Sequence, residues 1–149
     1  MDQLQNASQL SAGPLSALIG TEAKFSRTVG ESDAYGFAGI TGDSHPNHTD
    51  DEYARLNGLG GRVVQGSLLL GFMAGASTRY LAWLGRPAVS YGYDHVRFIK
   101  PVHFGDTVTV VFRVTRSDEE KRRVWAEATV TNQRGEPVAV GTNILHFQS

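Results

Sequence analysis

Asp43 and His48 stand five positions apart in the stretch Phe37 to Ala54, FAGITGDSHPNHTDDEYA. Gly42 and Pro46 discourage a regular helix there, so the spacing predicts a fixed turn that presents a carboxylate and an imidazole together. Such a pair can give and take protons near neutral pH, because an unperturbed imidazole titrates in that range and burial tunes a carboxylate. Without chemistry, the same residues read as an Asx-type turn beside a surface histidine.

A second feature bears on the choice. Gly66 immediately precedes a long helical pattern, in Arg62-Val63-Val64-Gln65-Gly66-Ser67. A glycine there lets a ligand approach the backbone, and its N–H is one of the unpaired donors at a helix start, where the helix dipole is positive. This is an oxyanion hole suited to a thioester carbonyl becoming an enolate. The plainer reading is a glycine N-cap. An acid/base pair with an enolate-stabilising donor suffices to add water across a conjugated thioester, or remove it. No metal and no cofactor is required.

Elements must hold these groups in place. Residues 1–14 read as a loose lead-in, Glu22 to Val29 as a first strand, and Ser32 to Gly39 as a short helix capped by Ser32 or Asp33. Thr49-Asp50-Asp51-Glu52 matches a capping box, with Thr49 as N-cap and Glu52 at N3. Ser67 to Leu84 is the one long helix, stopped by Gly85 and Pro87. Its apolar residues surround most of the axis, which predicts burial on most sides.

After Pro87 the period becomes two. Val89 to Ile99, Thr107 to Thr115, the alternating Val124-Ala126-Ala128-Val130 set and Val138 to Phe147 read as strands. One early strand, a buried helix and a run of antiparallel strands predict an α+β fold: a sheet curled around the helix, in a single domain spanning 1–149. The outer face and edges of such a sheet make sheet-to-sheet dimerisation plausible.

Composition narrows the partners. A 149-residue chain with 40% apolar and 19% charged residues is ordinary for a globular domain. A formal charge of -1 gives no general attraction to nucleic acid or anionic lipid. With no cysteine, disulfides and thiolate chemistry are excluded. Met1 to Gly20 lacks the basic and apolar regions of a secretion signal, and the run Leu68 to Ala76 is far short of a membrane span. A cytoplasmic protein is the expectation.

The motifs resemble a known family. Phe37 to His48, closed by Ala54, is similar to the signature of MaoC-like dehydratases and (R)-specific enoyl-CoA hydratases, with Thr41-Gly42-Asp43 and then Pro46 and His48 in register. Val64-Gln65-Gly66-Ser67-Leu68 resembles the family's helix start, and Val96 to Val102 with Gly105-Asp106 its downstream strand and turn. His45 replaces the signature's Asn, Asn47 its aliphatic residue, and Gln65 a common His; Gly71 and Ala74 stand where short-chain hydratases carry Ser. The resemblance implies a hot-dog fold, an enoyl-CoA or 3-hydroxyacyl-CoA substrate, and a homodimer formed through the sheets. It implies catalytic roles for Asp43 and His48, an oxyanion N–H at Gly66, and syn addition giving the (R)-3-hydroxyacyl product.

Other readings stay open. A hot-dog acyl-CoA thioesterase would use the same helix-end donor, and an acyl-CoA-binding subunit would keep the fold without turnover. His45, His48 and Asp50 or Asp51 invite a metal, but the capping box already accounts for the acidic pair. Arg62, Arg86, Arg97 and Lys100 could meet CoA phosphates. His95, His103 and His146, like Trp83, Trp125, Tyr91 and Tyr93, read as packing or partner contacts.

Overall fold

The computed structural model describes residues 2–148, and side chains from residue 7 onward. The elements run α1 (Asp2–Ala12), a 3-10 turn (Leu15–Leu18), β1 (Glu22–Thr28), α2 (Glu31–Thr41), α3 (Pro46–Thr49), α4 (Asp51–Leu56), α5 (Gly66–Leu84), β2 (Ala88–Phe98), β3 (Thr107–Asp118), β4 (Arg123–Thr131) and β5 (Pro137–Phe147). All five strands form one antiparallel sheet in the order β1-β3-β4-β5-β2. The predicted α+β architecture, a long helix against a curled sheet, is the one found.

Alternation explains the sheet. Val108, Val110, Phe112 and Val114 on β3 and Val124, Ala126, Ala128 and Val130 on β4 point to one face and are buried there. Leu69, Phe72, Met73, Ala76, Tyr80 and Leu84 of α5 pack onto that face. The Tyr80 ring lies 5.3 Å from Phe112, and its hydroxyl meets Thr21 Oγ1 at 2.8 Å. Burial holds the Tyr80 phenol above its ordinary pKa, and the Thr21 bond only partly opposes this.

Several expectations need correction. Residues 2–12 are helical rather than loose: Ala7 is buried and Leu10 packs against the core, so the lead-in is tied down; Met1 lies outside the described residues. The long helix buries one stripe at helical spacing, while Gly71, Thr78 and Arg79 remain exposed, because a single sheet covers one side only. The cap of α4 is Asp50, whose Oδ1 accepts from Tyr53 N at 3.0 Å; Thr49 instead ends α3.

The segment between β1 and α5 overhangs the sheet as three short helices. The cap of α2 is Gly30 rather than Ser32 or Asp33, and Asp33 folds back to accept the Gly30 N–H at 2.9 Å. Burial pushes the Asp33 carboxyl up, but bonds from Arg27 and Gly30 outweigh it and hold the group below its usual value. Arg62 fastens the overhang. It hydrogen-bonds Tyr35 and Glu31 of α2, pairs with Asp51 of α4 at 3.5 Å, and lies over the Phe104 ring at 4.8 Å. No helix among the described residues is long and apolar enough to cross a membrane.

Candidate active site

The turn that carries Asp43 is built by glycine and threonine. Gly42 ends α2 in the left-handed conformation, at φ 81°, and returns its N–H to Ala38 O at 2.8 Å. Thr41 Oγ1 donates to Phe37 O at 2.7 Å and accepts the Asp43 N–H at 3.2 Å. Pro46 then opens α3 at its first turn, where the missing N–H costs nothing. His45, the residue in place of the family's Asn, caps that turn through Nδ1, which accepts the Asn47 N–H at 3.2 Å. An imidazole thus does the capping work of an amide oxygen.

One turn of α3 brings His48 round to face Asp43. His48 Nε2 lies 3.8 Å from Asp43 Oδ1, with the imidazole 14% exposed and the carboxylate 41%. On the other side of the ring, Nδ1 is 2.7 Å from the carbonyl oxygen of Val63. A carbonyl only accepts, so Nδ1 carries the hydrogen and neutral His48 presents a lone pair on Nε2 toward Asp43. This arrangement fixes both the tautomer and the ring direction. The Asn47 carbonyl accepts the Val63 N–H at 2.9 Å, closing the clasp between α3 and the approach to α5.

Gly66 follows three residues after Val63. It is the first residue of α5, with Gln65 as N-cap, and its N–H has no acceptor one turn back. Gln65 is fully buried and donates through Nε2 to Ala34 O at 3.0 Å and to Asp43 O at 3.1 Å. The three expected residues therefore belong to one neighbourhood: Asp43 faces His48, and both are tied to the Val63–Gln65 strip that ends at Gly66.

One feature of Gly66 differs from the expectation. A side chain there would meet the Phe98 ring: a Cβ at position 66 would stand 2.5 Å from Cδ2 and 2.7 Å from Cε2. The glycine therefore admits an aromatic ring of its own chain. Phe98 is 51% exposed, so that ring is also a wall open to solvent.

Sequence reasoning gave Gln65 no role and missed Phe98. A lone amide side chain between Val64 and Gly66, in an otherwise apolar approach to a helix, was the available signal, since a buried amide must find partners. Of the basic residues considered for phosphates, Arg62 is engaged with Glu31, Tyr35 and Asp51, and Lys100 meets Glu136 at 2.7 Å. Arg97 donates to the adjacent Val96 carbonyl at 2.7 Å and is exposed. The carboxylates weighed for a metal turn elsewhere: Asp50 caps α4, and Asp51 Oδ1 accepts the Arg62 N–H at 3.2 Å.

Known proteins share the fold and the sequence family. A family model described as MaoC like domain matches residues 15–135. The (R)-specific enoyl-CoA hydratase of Rhodospirillum rubrum is 35% identical over 113 residues, covering 75% of this chain and 76% of that protein. The 3-hydroxybutyryl-CoA dehydratase of Methylorubrum extorquens is 31% identical over 112 residues, covering 74% and 69%. Among solved structures, the (R)-hydratase of Aeromonas caviae involved in PHA biosynthesis superposes with a TM-score of 0.79 at 26% identity, over 87% of this chain and 96% of that one. The fold is thus that of the hot-dog hydratases, and by sequence as well the chain belongs to the MaoC-like dehydratase family.

Proposed function

We propose that the protein is a hydro-lyase that adds water to, or removes it from, an enoyl-CoA or 3-hydroxyacyl-CoA thioester. The observation that carries this reading is the pair itself: a carboxylate 3.8 Å from an imidazole nitrogen whose other nitrogen is pinned to a carbonyl. The named activities of the relatives support the same reaction class.

In the hydration direction, Asp43 and His48 Nε2 together hold one water. As its oxygen bonds to the β-carbon, an O–H bond breaks and its proton passes to the pair. The π electrons of the enoyl group move onto the thioester oxygen, where the Gly66 N–H stabilises the enolate. The enolate then collapses and takes the proton at the α-carbon. Because one pair on one face delivers both parts, addition is syn, and the resemblance implies the (R)-3-hydroxyacyl product. The CoA thioester is substrate, and no cofactor enters the scheme.

The working unit in this proposal is a homodimer. β2 is an edge strand of 11 residues, with Val89, Tyr91 and Phe98 exposed along it, and an edge of this length and character invites pairing. Replacing Val89 and Tyr91 together by lysine is expected to yield a monomer in sedimentation; an unchanged dimer places the interface elsewhere.

A panel of enoyl-CoA thioesters of graded length tests the reaction. Loss of the enoyl absorbance with formation of (R)-3-hydroxyacyl-CoA is expected. Release of free CoA thiol without hydration would replace this reading by a thioesterase. Binding across the panel without turnover would replace it by an acyl-CoA-binding subunit.

A further inference from the structure

We infer that Gln65 is a positioning residue for the proposed reaction, one that sets the placement of Asp43 relative to the Gly66 amide; the inference rests on the acid/base reading given above. Gln65 is fully buried, and its single Nε2 spends both hydrogens on carbonyls far away in sequence, Ala34 in α2 at 3.0 Å and Asp43 in the catalytic turn at 3.1 Å. Its Oε1 is buried with no partner. The orientation is therefore not free: turned over, Oε1 would face two carbonyl oxygens, and the bonds would be lost.

The main chain of the same residue does the other half of the work. Gln65 is the N-cap of α5, and its carbonyl accepts the Leu68 N–H at 3.1 Å to start the helix. Gly66 is the next residue. One residue thus holds the turn bearing the carboxylate with its side chain and launches the helix bearing the oxyanion donor with its backbone. His48 is referred to the same strip through Val63 O. The Gln65 side chain acts on the reaction only through the placement of Asp43, with no contact of its own to the reacting atoms.

The chemistry is sensitive to this spacing, since a misplacement of about 1 Å can cost on the order of 100-fold in rate. Gln65→Met keeps the length and apolar packing but removes both donors. Its kcat is expected to fall about 10- to 100-fold with KM within about 3-fold of wild type. Gln65→His, which restores one ring N–H toward the turn, is expected to recover part of that loss.

A double-mutant cycle with Asp43→Asn, read in single turnover with enzyme in excess, separates positioning from general support of the fold. If Gln65 works through Asp43, Q65M costs little more once the carboxylate is gone. Additive losses, a Q65M enzyme with wild-type kcat, or no recovery in Q65H would each overturn the inference. Wild-type turnover by D43N overturns the acid/base reading itself. A slow D43N with an unimpaired Q65M overturns only the role of Gln65.

Discussion

At the scale of single residues, the site depends on side chains whose second functional group is already committed. His48 presents Nε2 because Nδ1 is held by Val63 O, and the Asp43 carboxylate is aimed by a backbone whose carbonyl and N–H are held by Gln65 and Thr41. Gly66 adds a steric constraint. An alanine there keeps the N–H but forces the half-exposed Phe98 ring aside. Gly66→Ala is therefore expected to lose both stability and turnover, and Phe98→Ala in the same chain to relieve both. Urea unfolding of the four-member cycle should give a coupling of about 0.5–3 kcal/mol. Additive effects on stability would mean that the ring and the glycine do not constrain each other.

At the scale of elements, the overhang of α2, α3 and α4 decides where the turn bearing Asp43 sits, and its helices are too short to persist without caps. Asp50 is the clearest: its Oδ1 holds Tyr53 N, and α4 has only six residues. Asp50→Ala is expected to cost about 1 kcal/mol and to lower amide protection at Tyr53 in hydrogen exchange. Unchanged protection would show that α4 is held from elsewhere, through the Arg62–Asp51 contact. These elements also mark the limits of reading sequence. The strands and α5 were legible because the alternation of Val108 to Val114 and of Val124 to Val130, and the stop at Gly85, are local signals. The capping box at Thr49 was misread because Asp50, one residue on, competes for the same helix start. α1 was missed because its tie to the core, through Ala7 and Leu10, is tertiary. Within the candidate site, the facing of Asp43 and His48 was legible from residue type and spacing. Their common anchor on Val63–Gln65 was not, since a buried amide names no partner until the chain folds.

At the scale of the molecule, one helix on one sheet supplies a rigid base from which a cluster of short helices presents the pair. Ionic ties between distant segments add to it. Glu136, in the β4–β5 connection, accepts from Asn132, Lys100 and Arg134, and these bonds lower its pKa from 4.5 to about 2. Between those values the unfolded chain binds a proton that the folded chain does not. The contribution is therefore complete above about pH 4.5 and is lost as pH falls toward 2. Glu136→Gln is expected to flatten the fall of Tm below pH 5; an unchanged acid limb would show that other carboxylates govern it. The proposed hydration turns on whether Asp43 and His48 perform it. The most direct measurement is the rate of enoyl-CoA hydration by wild type, Asp43→Asn and His48→Gln, each checked for unchanged melting temperature. A loss of about 1,000-fold or more in kcat/KM for both folded variants is expected, at the scale of positioned acid/base catalysis. Hydration at the wild-type rate by either one would contradict the account.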